Sequence, residues 1–100
     1  MKERVYIAGP VTGMPYQKAY RRFYAQERRL KQKGLEVINP LRKCKESWSW
    51  WRCMIVCIYN LIQCDSIYML KGWEKSRGAK VEFKVANWLK MKVYIYKKSI

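Results

Sequence analysis

Apolar residues follow two different spacings along this chain. Four short runs are apolar at nearly every position, which is typical of strands buried on both faces of a sheet. Three longer segments between them repeat apolar residues at intervals of three and four, which predicts helices. The strands are expected at residues 4–8, 35–38, 66–70 and 92–96, and the helices at residues 14–33, 50–63 and 76–89.

The order of these elements predicts the fold. Strands that alternate with helices form a parallel sheet joined by right-handed crossovers. We predict a single domain, residues 1–100, with an α/β doubly wound fold of the flavodoxin or Rossmann-like type: about four parallel strands in the order 2-1-3-4, in three α/β/α layers. That order places strands one and three side by side at the topological switch point. The loops at residues 9–13 and 71–78 should then border one ligand-binding crevice.

Residues at the predicted helix ends support this assignment. Pro15 suits the first turn of a helix, and Gly34 suits the position that follows one. Either Ser47 or Ser49 can cap the second helix, and Ser76 can cap the third.

The second predicted helix, with apolar residues from Trp50 to Ile62, has almost no polar face. A helix that is apolar all round is buried on more than one side. A chain of 100 residues has too small a core to cover both sides. We therefore expect this helix to form the contact of a homodimer or of a larger even oligomer.

The formal net charge of +15 points to phosphate-bearing or polyanionic partners without selecting among them. A basic stripe on the first helix is either a solvated face or a contact surface for phosphate or nucleic acid. Its members are Lys18, Arg21, Arg22, Arg28 and Arg29. Nucleic acid is the less favoured partner, because signatures for reading bases are missing.

The chain has no histidine and four cysteines: Cys44, Cys53, Cys57 and Cys64. Without a CxxC pair or a histidine, no metal site is expected. Free, buried thiols in a reducing cytoplasm are the expected state. The first strand follows residue 1 without a secretory leader, and the longest apolar run, residues 53–62, is too short to cross a bilayer. We therefore expect a cytoplasmic protein with no membrane partner.

One carboxylate occupies an unusual place on the third helix. Glu82 falls within about 60° of Gly78 and Ala79 on a helical wheel, on the apolar stripe and opposite Lys80 and Lys84. A helix used only for packing would carry leucine or valine there, because an unpaired buried charge is costly. Glu82 is therefore either a carboxylate directed into a small pocket or the buried partner of an arginine or lysine.

The two loops of the predicted crevice carry glycines, and one of them precedes a helix. Backbone N–H groups at a glycine turn and at a helix N-terminus suit an anion such as phosphate. The sequence has neither a P-loop nor a GxGxxG motif, so we expect no nucleoside triphosphate or dinucleotide cofactor.

Four segments of the chain carry a recognisable pattern: YIAGPVTG at residues 6–13, VINP at 37–40, CDSIYML at 64–70, and GWEKSRGA at 72–79 followed by Glu82. Together they resemble the nucleoside 2-deoxyribosyltransferase-like superfamily, above all its small members that are common in bacterial and phage genomes. The resemblance covers nearly the whole chain. It implies a flavodoxin-like fold, oligomeric assembly, and cleavage of the N-glycosidic bond of a 2′-deoxynucleoside or its 5′-monophosphate.

The resemblance also implies roles for individual residues. Glu82 matches the catalytic glutamate, which would attack C1′ and form a deoxyribosyl–enzyme ester that water or a second base resolves. Tyr6 would orient this nucleophile. The other positions implied to contact the substrate are Gly9, Thr12, Gly13, Ser76 and Gly78, the last two at the sugar 5′ end.

One position departs from the family pattern. Many members of that superfamily carry an aspartate eight residues before the aspartate of the Cys-Asp pair that opens strand three. This aspartate contacts the base of the substrate and helps the base to leave. Here that position is Cys57, and a thiol is a weak proton donor. Glu74, in the loop over the site, is the alternative acid.

Three functions follow as expectations. The first is a deoxyribosyltransferase or N-deoxyribosidase that acts on a small deoxynucleoside or deoxynucleotide. The second is a catalytically weak protein on the same fold that binds or sequesters nucleotides. The third, less favoured, is a basic nucleic-acid-binding domain.

Overall fold

A computed structural model describes residues 2–11, 14–45 and 47–96 of the chain. Within these residues, a four-stranded, all-parallel sheet has the order β2-β1-β3-β4, which confirms the predicted doubly wound α/β fold. The strands are β1 (Arg4–Ala8), β2 (Glu36–Ile38), β3 (Ser66–Met69) and β4 (Lys92–Ile95). The α-helices are α1 (Tyr16–Gln32), α2 (Trp50–Leu61) and α3 (Arg77–Trp88), and short 3-10 helices occur at Pro40–Arg42 and Trp73–Lys75.

The helices cover both faces of the sheet. On one face, Phe23 and Leu30 of α1 pack in a buried cluster with Val5 of β1. On the other face, Leu61 of α2 and Ala86 of α3 belong to a second buried cluster that includes residues of β1 and β3. The molecule therefore has the predicted three α/β/α layers.

The central strand β1 determines which side chains face the candidate site. It pairs in parallel with β2 on one side and with β3 on the other, where Val5 lies opposite Ser66. Successive side chains of a strand point to opposite faces of the sheet. Tyr6 and Ala8 therefore lie in the cluster formed with α2 and α3, whereas Val5 and Ile7 lie in the cluster formed with α1.

The first helix begins two residues later than predicted. Pro15 is extended (φ −55°, ψ 132°) and stands before α1 as its N-cap, without a side-chain capping bond. Gly34 follows α1 with φ +86°, a left-handed conformation that glycine adopts without steric cost. The observed ends of β2, β3, β4, α2 and α3 also differ from the predicted ones by one or two residues, which is usual for element boundaries.

Two serines cap the other helices. Ser49, rather than Ser47, caps α2, because its side chain accepts a hydrogen bond from Arg52 N. Ser76 caps α3 as expected, and its hydroxyl accepts a hydrogen bond from Ala79 N.

Helix α2 buries only one of its apolar faces within the chain. Cys57 and Leu61 are buried against the sheet. An outer stripe is exposed, and it consists of Trp51 (67%), Ile55 (70%), Tyr59 (65%) and Ile62 (51%). Despite this surface, none of the described helices has the length and apolar composition needed to cross a membrane.

Candidate functional site

The carboxyl ends of β1 and β3 border a cavity of about 580 Å³. Its walls come from the segment after β1, the start of α1, the segment between β2 and α2, the first turns of α2, and the N-terminal half of α3. The described residues that line it are Gly9, Val11, Tyr16, Phe23, Pro40, Leu41, Cys44, Lys45, Trp48, Ser49, Trp50, Cys53, Met54, Cys57, Lys75, Ser76, Arg77, Gly78, Ala79 and Glu82. The predicted crevice at the switch point is therefore present.

Glu82 lies at the buried end of this cavity. Its side chain is 5% exposed, and Tyr6, which is fully buried beneath it, donates a hydrogen bond from its hydroxyl to Glu82 Oε2. Within the described part of the chain, Glu82 has no basic partner. Of the two interpretations of this carboxylate, the pocket agrees with the geometry and the buried ion pair does not.

Burial determines the protonation of this pair. Desolvation raises the pKa of Glu82 to about 8, although the hydrogen bond from Tyr6 acts in the opposite direction. Desolvation and the neighbouring Glu82 raise the pKa of Tyr6 well above its usual value, so its hydroxyl keeps its proton. Ligand groups that stabilise negative charge would restore the ionised form of Glu82.

The N-terminus of α3 forms another part of the wall. Ser76, Gly78 and Ala79 line the cavity, and the Ser76 hydroxyl is already occupied with capping Ala79 N. Gly78 permits a close approach, since a Cβ atom there would lie 3.1 Å from Met54 Sδ and 3.6 Å from Trp50 Nε1. The close neighbours of Gly78 are therefore the side chains of Met54 and Trp50 on α2.

The segment between β2 and α2 supplies aromatic and cationic groups that the sequence analysis did not assign to the site. Trp48 and Trp50 line the cavity together with Lys45 and Arg77. The Arg77 guanidinium lies over the Trp50 ring, 4.3 Å from the ring centroid, so a cation–π contact joins these two side chains. Flat aromatic surfaces suit a base or sugar face, and the cations suit a phosphate.

This segment is held to the rest of the fold by a buried polar network. Asn39 caps the 3-10 helix by accepting a hydrogen bond from Leu41 N, and its amide donates to Glu27 Oε1 at 3.0 Å. Arg42 forms a two-point contact with the same carboxylate, at 3.0 and 3.1 Å. Glu27, a buried residue of α1, thus connects α1 to the cavity wall.

The expectation of four free thiols is wrong for two of them. Cys44 and Cys53 form a disulfide, because the segment after the 3-10 helix folds back onto the first turns of α2. Cys57 and Cys64 are free and buried. Cys57 lines the cavity, and burial followed by the nearby Glu82 raises its pKa to about 12.

The remaining predicted site residues are placed as follows. Gly9 lines the cavity, and a Cβ atom there would lie 2.8 Å from Leu70 Cβ, so its small size is needed for packing as well. Glu74 is exposed in the 3-10 helix Trp73–Lys75 and is not among the lining residues. Thr12 and Gly13 lie outside the described residues.

Fold and site together define a small doubly wound α/β domain with a buried carboxylate–tyrosine pair in its switch-point crevice. The sequence profile of DUF4406, a domain of unknown function, matches residues 3–95, so the chain belongs to this family. Among curated proteins, none matches the chain.

Proposed function

We propose that this protein cleaves, or transfers at, the N-glycosidic bond of a 2′-deoxynucleoside or its 5′-monophosphate, with Glu82 as the nucleophile. The observation that carries the proposal is a desolvated carboxylate at the buried end of a cavity, oriented by a hydrogen bond from Tyr6 and without a basic partner in the described chain. A carboxylate kept only for stability would be paired or absent.

The proposed reaction has two steps. A Glu82 carboxylate oxygen forms a bond to C1′ while the bond from C1′ to the base nitrogen breaks, and the base leaves with the bonding electrons and takes up a proton. Water, or an N–H nitrogen of a second base, then forms a bond to C1′ as the ester bond from C1′ to Glu82 breaks. The carboxylate leaves with the bonding electrons, and the attacking group passes its proton to solvent. Tyr6 is the positioning residue, because its hydroxyl fixes one oxygen of Glu82.

The walls of the cavity support a nucleotide-sized substrate. Trp48 and Trp50 offer flat apolar surfaces, and Lys45, Lys75 and Arg77 offer positive charge near the N-terminus of α3. A deoxynucleotide presents a flat base, a sugar and an anion, which are groups that such walls can contact. The proposal needs no cofactor, since the carboxylate supplies the covalent step.

A catalytically weak nucleotide-binding protein is the second candidate, and Cys57 is the observation that favours it. Glu82 is the one carboxylate among the described lining residues, and Glu74 lies outside them. A buried thiol with a pKa of about 12 is a poor proton donor to a departing base. Such a pocket would hold a deoxynucleotide but release the base slowly.

The discriminating experiment measures free base released from a panel of deoxynucleosides and their 5′-monophosphates. Wild type is expected to release base with a kcat/KM that rises with pH through about 8, as Glu82 becomes ionised. Glu82→Gln should lose at least about 10³-fold in turnover while it keeps ligand affinity. Glu36→Gln, at an exposed carboxylate that does not line the cavity, is the matched control and should match wild type.

Two outcomes would reject the catalytic assignment. Full base release by Glu82→Gln would remove Glu82 as the nucleophile. If calorimetry shows that folded wild type binds deoxynucleotides, and no free base is released at any of the pH values tested, the protein is a nucleotide-binding protein and the enzymatic proposal is rejected.

We also propose that the protein assembles through the exposed stripe of α2 and works in the cytoplasm. The Cys44–Cys53 disulfide of the structure would be in its reduced, dithiol form under the reducing conditions of that compartment.

A further inference from the structure

Three of the four cysteines meet at one wall of the cavity. Cys53 and Cys57 are one helical turn apart on α2, and Cys44 reaches them from the segment after the 3-10 helix Pro40–Arg42. The Cys57 sulfur lies 3.6 Å from that of Cys44 and 3.7 Å from that of Cys53. All three sulfur atoms lie within 4.8 Å of one another.

From this geometry we propose that the reduced protein binds a thiophilic divalent cation of the zinc class through Cys44, Cys53 and Cys57. The sequence argued against a metal because no CxxC pair and no histidine occur. The fold brings the sulfur of Cys44 next to Cys53 and Cys57, which are four residues apart on α2. A three-sulfur cluster therefore forms without a CxxC pair.

The sulfur separations agree with such an ion. A Zn–S bond of about 2.3 Å in a tetrahedral site places ligand sulfurs about 3.8 Å apart. The two distances to Cys57 are already close to that value. The sulfurs of Cys44 and Cys53 are bonded to each other in the disulfide, and the distance between them would increase when this bond is reduced.

The binding reaction has two balanced stages. A dithiol or phosphine reductant supplies two electrons to the Cys44–Cys53 disulfide, which takes up two protons and becomes two thiols. Zn²⁺ then replaces the protons of three thiols, so three protons are released and the metal–thiolate group carries one negative charge. Lys45 and Arg77 on the same cavity wall would offset that charge.

The position of the three sulfurs leaves the ion accessible. Cys44 and Cys53 are partly exposed, Cys57 is buried, and all three line the cavity. Three protein ligands leave a fourth position open, as in zinc sites that exchange a ligand. The segment that carries Cys44 is held in place by Arg42 and Glu27, so the cluster is organised before the metal arrives.

The test uses tag-free full-length protein, since the chain has no histidine of its own to bind metal. The protein is reduced with a phosphine, freed of it without oxygen, and titrated with Co²⁺ and then Zn²⁺ against a chromophoric chelator. We expect one Zn²⁺ per chain and a thiolate-to-cobalt charge-transfer band. Cys44→Ser, Cys53→Ser and Cys57→Ser should each weaken binding at least about 100-fold.

Cys64→Ser is the matched control, because Cys64 is a buried free thiol outside the cluster, and it should bind like wild type. Failure of reduced wild type to bind Zn²⁺, or wild-type affinity in Cys57→Ser, would overturn the site.

If the serine variants do not fold, thiol alkylation mapped by mass spectrometry tests the proposal on wild type. Zn²⁺ should protect Cys44, Cys53 and Cys57 while labelling of Cys64 stays unchanged. Protection of fewer than these three would overturn the site. None of these readouts depends on the proposed glycosidic reaction.

Discussion

Two buried carboxylates of the described chain, Glu27 and Glu82, have pKa values shifted in opposite directions. Burial opposes ionisation at both. At Glu27 it is outweighed by hydrogen bonds from Arg42, Lys31 and Asn39, which lower the pKa to about 2. Glu82 receives a hydrogen bond only from the neutral Tyr6 among the described residues, and its pKa is about 8. The first environment stabilises the fold, and the second is of the kind found at functional sites.

Glu27 should therefore make stability depend on pH in the acid range. Its pKa is lower in the folded state (about 2) than the usual 4.5, so its contribution is complete above pH 4.5 and is lost as the pH falls through 2. Glu27→Gln should lower the free energy of unfolding by about 1–3 kcal/mol at pH 7, and the difference should shrink toward pH 2. Denaturant unfolding at several pH values measures this.

The control for Glu27 is Glu36→Gln, which removes the exposed pair formed by Arg4 and Glu36 at 3.4 Å. That change should stay within about 0.5 kcal/mol of wild type. A pH-independent difference for Glu27→Gln would mean that packing, rather than charge, accounts for its effect.

Cys57→Asp should restore a proton donor if the leaving base needs one. Protonation of a leaving group contributes about 10²–10⁴-fold in rate. We expect the variant to accelerate release of ordinary purines at least about 10-fold more than release of activated bases, which need less protonation. The ratio of the two rates, measured on folded protein, cancels the active fraction. An unchanged ratio would show that the acid at this position does not limit the reaction.

At the level of elements, the outer stripe of α2 is the feature that a single chain leaves unexplained. Four large apolar side chains lie one turn apart along it. An exposed apolar face of this kind marks an interaction surface, and a second copy of the same stripe is its simplest complement. The oligomer predicted from the sequence therefore remains a prediction, with the contact now confined to one face of α2.

Ile55→Glu tests this contact, because Ile55 is 70% exposed and lies in the middle of the stripe. A buried charge there should weaken association at least about 30-fold, and light scattering at micromolar concentration should report a smaller mass. Tyr20→Glu on α1, across the sheet, is the control and should keep the wild-type mass. A monomeric wild type, or an unchanged mass for Ile55→Glu, would contradict the prediction.

Periodicity predicted the helices and strands because each follows from local spacing. The place of Glu82 on the apolar stripe of α3 left a pocket or a buried ion pair as its two interpretations, and Glu82 lines the cavity. The cysteine cluster could not be predicted in this way. Cys53 and Cys57 share a helix face, but the position of Cys44 depends on Asn39, Arg42 and Glu27, whose contacts are not local in sequence.

At the scale of the whole molecule, part of the positive charge lies beside the candidate site. A second depression of about 740 Å³ next to the end of β3 is lined by basic residues: Lys18, Arg22, Arg29, Lys71 and Lys75. Lys75 lines both this depression and the cavity that contains Glu82. The basic stripe of α1 therefore continues toward the cavity, where a positive field favours the phosphate-bearing form of the proposed substrate.

The central position of β1 has a consequence for synthesis on the ribosome. On one side its partner is β3, and Val5 pairs with Ser66, which is polymerised 61 residues later. At about 5–20 residues per second, roughly 3–12 s pass before that partner has been polymerised. During this interval β1 has no neighbour on that side, although β2 can already pair with its other edge. The β1–β3 pairing, which brings the two sides of the switch-point crevice together, can therefore form only late in synthesis.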